Sequence, residues 1–261
     1  MMLKNKVAVI YGAGGAIGGA VASALASEGA KVFVTGRRKA PVEALAREVA
    51  SVGGSAHAAT VDALDERSVD DHLQAVIDEA GRVDISFNAI GVADPRVIGV
   101  PLIEIDAEHF ALPITAYTTS YFITARLAAR RMVASKSGVI MTVTALPSRT
   151  GTMLNGGYGP AMAAKEAMTR DLSAELAPHG IRVISLRPHG LPETRTMREL
   201  HQLKASKMTY DQFQAYLAST THPRRVMTLA EVGQMAAFTA SDKASGLTGT
   251  TLNLTMGGVA D

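Results

Sequence analysis

The segment Tyr158-Gly-Pro-Ala-Met162-Ala-Ala-Lys165 sets a phenol and an amine on one stretch of helical spacing. A tyrosine followed four residues later by a lysine builds a proton donor, because i and i+4 are neighbours on a helix and the ammonium lowers the phenol's pKa from about 10. Here the i+4 place holds Met162, and the first lysine is Lys165 at i+7. Seven residues make nearly two turns, so Lys165 shares the face of Tyr158 but stands about 10 Å along the axis. Tyr158 is a candidate acid without its usual neighbour.

A second constellation is built for phosphate. Tyr11-Gly12-Ala13-Gly14-Gly15-Ala16-Ile17-Gly18-Gly19 lies between the first apolar run and the first helical pattern. Glycines there let the backbone turn tightly and approach a pyrophosphate, which rests on the amides opening the helix. The placement between strand and helix makes this signal stronger than a lone glycine cluster. After the second apolar run the chain reads Val34-Thr35-Gly36-Arg37-Arg38. No acid stands there to accept from adenosine ribose hydroxyls, whereas Arg37 and Arg38 suit a 2′-phosphate, which favours NADP(H) over NAD(H). The alternative is a solvated arginine pair at a helix start, where positive charge is not otherwise favoured.

The elements that must position these residues alternate. Runs at 6–11, 31–35, 56–61, 83–88, 138–144, 181–187 and 250–255 predict strands, and 16–28, 40–52, 66–80, 107–134, 158–178 and 229–240 carry helical periodicity. Such alternation predicts an α/β fold, a doubly wound parallel sheet of seven strands covered on both faces. No linker composition or internal repeat divides residues 1–261, so a single dinucleotide-binding domain is expected. A polar insertion at 191–223, carrying Met197, Met208, Tyr210, Phe213 and Tyr216, predicts one or two short helices. Its length favours a substrate lid over a surface excursion.

Bulk properties narrow the function. The chain has 261 residues, 47% hydrophobic and 19% charged, with net charge +2, which gives no argument for nucleic acid or an anionic membrane. There is no cysteine, hence neither disulfide nor thiolate chemistry. The N-terminus has no signal-peptide layout and no apolar run reaches the roughly 18 residues of a membrane span, so a cytoplasmic location is expected. The histidines show no metal-ligand spacing, and no metal is expected. His189 is either a proton donor or a loop histidine with its needs met locally.

Taken together, the chain resembles the short-chain dehydrogenase/reductase family over essentially its whole length. Gly12-x3-Ala16-x-Gly18 is similar to that family's glycine turn, with alanine at the middle glycine. Asp62-Ala63 matches its adenine-contacting aspartate, and Asn88-Ala89-Ile90-Gly91 its Asn-Asn-Ala-Gly motif. Pro188-His189-Gly190 falls where the family has Pro-Gly beside the nicotinamide, with Thr194 near its threonine. The resemblance implies cofactor contacts from Gly12, Gly14, Gly15, Ala16, Ile17, Gly18, Arg37, Arg38, Asp62, Ala63, Asn88, Ala89, Ile90, Gly91, Pro188, Gly190 and Thr194. The tail, with Arg225, Ala230-Glu231-Val232, Leu247-Thr248-Gly249 and Gly257-Gly258, is also similar.

The resemblance breaks at the catalytic tetrad. In register, Tyr158 falls on the family tyrosine, but Met162 falls on its lysine, Ala145 on its serine and Tyr117 on its helix asparagine. Thr144, Ser148 and Tyr117 are the candidate replacements for the lost hydrogen bonds; each has a plainer reading as strand, loop or packing residue. Lys165 resembles the lysine of the enoyl-reductase branch in its spacing but is three residues out of the downstream register; otherwise it is a solvated helix residue. Without a lysine neighbour Tyr158 stays a neutral phenol, which donates a proton in reduction but makes a poor base for alcohol oxidation. The expected activity is NADPH-dependent reduction of an activated C=C, C=O or C=N bond of a small molecule, with Tyr158 as donor. The alternative is a nucleotide-binding protein without hydride chemistry: a sensor, a partner subunit or a fold recruited for other catalysis. Packing faces at 107–134 and 158–178 predict a homo-oligomer, a dimer or tetramer.

Overall fold

The central strands are short apolar runs buried on both faces, which is what a parallel sheet between two helical layers requires. In the computed structural model, which describes residues 1–92, 98–204 and 207–260, the seven strands are β1 (Val7–Tyr11), β2 (Lys31–Gly36), β3 (Ser55–Thr60), β4 (Ile85–Asn88), β5 (Gly138–Val143), β6 (Ile181–Pro188) and β7 (Thr250–Leu254). All pair in parallel in the order β3-β2-β1-β4-β5-β6-β7. β1, β4 and β5 are buried at every residue, while β3, at the edge, alternates between partly buried and exposed.

The helices are α1 (Ala16–Ser27), α2 (Lys39–Ser51), α3 (Glu66–Ala80), α4 (Ala107–Met132), α5 (Tyr158–Leu176), α6 (Arg195–Lys204), α7 (Tyr210–Ser219) and α8 (Leu229–Ala240). Side chains alternate across each strand, so neighbours in sequence feed opposite cores. Ala8 and Ile10 join Val21, Leu25, Ala236 and Ala240 on the α1 and α8 side. Val9 and Tyr11 join Leu73, Tyr121 and Leu127 on the α3 and α4 side. Each fully buried leucine of these layers contributes about 1.5–3 kcal/mol. The predicted alternation, strand count and single domain hold, and the 191–223 insertion forms α6 and α7; its residues 205 and 206 lie outside the described residues.

Strand order reverses between β1 and β4, which opens a crevice at their carboxyl ends. Helix starts along this edge differ among themselves. α3, α4, α7 and α8 begin at Asp65, Asp106, Thr209 and Thr228, whose side chains accept from backbone N–H groups of the first turn. α1, α2 and α5 begin at Gly15, Arg38 and Gly157 without any side-chain cap. At α5 the Tyr158 N–H turns back to Asn155 O at 3.0 Å, whereas the opening amides of α1 are left for water or a ligand.

Candidate active site

The glycine turn reaches the crevice because nothing larger fits. Gly12 has φ +77°, and a Cβ there would lie 2.6 Å from the carbonyl oxygen of Ala89. The turns after β1 and β4 are therefore in backbone contact. Ala13 N–H donates to Thr35 O, Gly15 N–H to Gly12 O, and Ala89 N–H to Tyr11 O, which fixes the loop. Gly14 and Gly15 are exposed, and Ala16, Ile17 and Gly18 form the first turn of α1.

The other cofactor candidates line the same edge. Arg37 and Arg38 are exposed between β2 and α2, and neither makes an ion pair among the described residues. Asp62 follows β3 and takes Leu64 N–H at 3.0 Å, with Ala63 buried beside it. Asn88 is buried and donates to Thr124 Oγ1 at 3.1 Å, while Thr142 donates to its carbonyl at 3.0 Å. Ile90 and Gly91 continue from it along the crevice. Pro188 closes β6 against Leu254 of β7. Gly190 is covered by Met197 and Leu217 of the insertion. Thr194, which accepts from Met197 N–H at 3.2 Å, holds the start of α6.

Tyr158 opens α5, where the uncapped helix start meets the crevice. Its position depends on Gly157, since a Cβ there would fall 2.0 Å from Phe110 O of α4. The phenol is half-buried, makes no hydrogen bond among the described residues, and stands edge-to-face with Tyr117, ring centroids 5.7 Å apart. Burial first, and the adjacent Tyr117 phenol second, push its pKa well above the ordinary value. Tyr117 accepts from Val92 N–H at 3.1 Å, and its own proton has no acceptor among the described residues. Met162 and Ala145 pack with these two rings in an apolar cluster that includes Val92 and Ile114.

Lys165 is not a solvated residue. It is 0% exposed, and its Nζ donates to Val143 O at 2.8 Å and lies 5.6 and 5.7 Å from the ring centroids of Tyr117 and Tyr121. Burial lowers its pKa to about 7. It touches the ring of Tyr117 and bonds to neither phenol oxygen.

Thr144 and Ser148 meet a partner that sequence reasoning missed. Both hydroxyls donate to Glu166 Oε1, at 3.0 and 2.6 Å, and Arg187 grips the same carboxylate through Nε and Nη2 at 2.8 and 2.9 Å. The available signal was an arginine inside the buried run of β6. His189, also buried, bonds through Nε2 to Thr220 Oγ1 at 3.0 Å beyond α7, while its Nδ1 has no partner among the described residues. Burial holds this imidazole below its ordinary range. No metal-ligating cluster occurs among the described residues.

A crossed α/β crevice with a glycine turn, uncapped helix starts and a tyrosine opening α5 defines a dinucleotide-dependent enzyme class. A family model described as Enoyl-(Acyl carrier protein) reductase matches residues 12–258. Sorbitol-6-phosphate 2-dehydrogenase of Escherichia coli (strain K12) is 30% identical over 260 residues, 98% of this chain and 99% of that protein. (+)-Borneol dehydrogenase 2 of Salvia officinalis is 26% identical, across 97% of this chain and 88% of that one. The crystal structure of sorbitol-6-phosphate 2-dehydrogenase from Erwinia amylovora superposes with TM-score 0.89 at 29% identity, covering 97% of this chain and 100% of that chain. The chain belongs to the short-chain dehydrogenase/reductase family and is an oxidoreductase of that type. No helix among the described residues is long and apolar enough to cross a membrane.

Proposed function

We propose that the protein is an NADPH-dependent reductase of an activated C=C, C=O or C=N bond of a small molecule, with Tyr158 as proton donor. The observation that carries this is the half-buried phenol of Tyr158 at the crevice, without a hydrogen bond among the described residues and flanked by Met162 and Ala145 rather than by an ammonium and a hydroxyl. With nothing to stabilise phenolate, the group holds its proton until a more basic oxygen, nitrogen or carbanion-like centre develops beside it. That suits reduction.

The cofactor supplies the hydride. The turn at Gly12–Gly18 and the opening amides of α1 receive its pyrophosphate, Arg37 and Arg38 its 2′-phosphate, Asp62 and Ala63 the adenine side, and Asn88–Gly91, Pro188, Gly190 and Thr194 the nicotinamide side. Tyr117, whose proton has no acceptor among the described residues, is the second donor toward the developing negative charge. Lys165 supports the Tyr117 ring from below. Exposed Leu112 and Phe122 on α4 and Phe238 on α8 are the apolar positions on which a dimer or tetramer would close.

The test is consumption of NADPH over a panel of ketones, enones and imines, with cofactor binding followed separately by nicotinamide fluorescence. Turnover that is lost in Tyr158→Phe while NADPH binding persists supports the reading; undiminished turnover in that variant sinks it.

A further inference from the structure

Three segments converge on Glu166, which the proton-donor scheme does not use. Glu166 of α5 is 4% exposed and Arg187 of β6 is 2% exposed, so the pair is sealed from water. Such a pair persists only when its remaining hydrogen-bonding capacity is met. Here Thr144 at the end of β5 and Ser148 in the following turn meet it. A hydroxyl has one proton, and a carboxylate held by a guanidinium fork only accepts. The Ser148 proton is thus committed to Glu166, leaving that hydroxyl with acceptor lone pairs alone, while Thr144 divides its proton between Glu166 and Leu186 O at 3.3 Å. Thr144 is sealed at 3% exposure, whereas Ser148 keeps accessible surface. The turn carrying Ser148 rests on the first turn of α5, where a Cβ on Gly159 would stand 3.0 Å from Pro147 O, and Ala145 at its start packs with Tyr158.

We propose that the Glu166–Arg187 pair fixes Ser148 as a hydrogen-bond acceptor toward the substrate, so that the site selects compounds bearing a hydroxyl or N–H donor next to the carbon to be reduced. This rests on the reading of the Tyr158 crevice as the substrate site. Ser148 touches the substrate; Glu166 and Arg187 are positioning residues that act through it. A compound lacking the donor strips water from the Ser148 lone pairs and returns nothing, a loss of about two- to tenfold in affinity.

The experiment compares 2-methylcyclohexanone with 2-hydroxy-2-methylcyclohexanone, whose carbinol carbon has no hydride to give, by titration calorimetry with NADP+ in excess, so that no hydride moves. The hydroxyketone is expected to bind about two- to tenfold more tightly to the unaltered protein, and Ser148→Ala to bring the ratio to about one. The double variant Glu166→Gln with Arg187→Met, which removes both charges together, lets Ser148 turn its proton outward and lowers the ratio as well. Equal binding of the two ketones, binding of neither, or a ratio unmoved by Ser148→Ala overturns the proposal. Turnover with NADPH, lost in Tyr158→Phe, separates the two readings. If it is present while the ratio ignores Ser148, only this inference falls. If the ratio collapses in Ser148→Ala while no ketone is reduced, the reductase reading falls instead.

Discussion

α1 and α5 open onto the same edge of the sheet, and their first turns are made in opposite ways. The start of α1 is backbone: a glycine turn, exposed Gly14 and Gly15, and amides without a cap. The start of α5 is side chain: Tyr158 against Tyr117, with Met162 and Ala145 closing an apolar cluster. Backbone donors suit a phosphate group whatever else the ligand carries, so this end states a ligand class and little more. The α5 end depends on which side chains surround one phenol. Its chemistry therefore changes with single substitutions while the fold stays as it is.

The comparison predicts separable losses. Tyr158→Phe should lower turnover on the order of 10²-fold or more and leave the NADPH dissociation constant nearly unchanged. Steady-state rates beside a fluorescence titration check this, and an equal loss in both would erase the division of labour. At the other end, Arg37→Ala combined with Arg38→Ala should cost about ten- to hundredfold in NADPH affinity and nothing in NADH affinity. Parallel titrations with the two cofactors read it directly; equal initial affinities would reject the assignment. Tyr117→Phe should have a smaller effect, about tenfold in turnover, because the ring and its packing remain and only one hydrogen bond is lost. An unchanged rate would leave Tyr158 as sole donor.

The smallest effect concerns stability. The amine of Lys165 has a folded-state pKa of about 7 against an ordinary 10.5. Between these values the unfolded chain binds a proton that the folded chain does not, so wild-type stability rises as pH climbs through that window. Below it, both states are charged and the penalty of burying the ammonium is fully present. Lys165→Met should therefore raise the melting temperature by a few degrees at pH 7, and the advantage should shrink toward pH 10. Thermal unfolding across that range checks it, and an advantage that grows with pH would show the amine to be charged and paired.

Much of this was legible because backbone constraints act locally. The buried apolar runs, the turn at Gly12 and the arginines after β2 each depend on neighbours close in sequence. Counting back from the start of β6 singled out Tyr158, Met162 and Ala145, which the structure packs in one cluster. Lys165 was harder: helical spacing gives its face, but only the aromatic rings of α4 decide whether that face is dry. The Glu166–Arg187 pair was illegible for the same reason, since its partners lie 21 residues apart on different elements. Thr144 and Ser148, candidate replacements for the lost serine hydrogen bond, both reach Glu166.

The burial of Met162 and Lys165, at 2% and 0% exposure on successive turns of α5, constrains the order in which this active site can be rebuilt. Introducing Met162→Lys into the present chain places two amines one turn apart in a region without water, where like charges repel and neither can be hydrated. Exchanging Lys165 for methionine first removes that conflict and leaves room for one cation beside Tyr158. The two positions are therefore epistatic: the same reversion is harmful in one background and permitted in the other, and an engineer who wants alcohol oxidation from this scaffold must take the step that looks irrelevant before the one that looks catalytic.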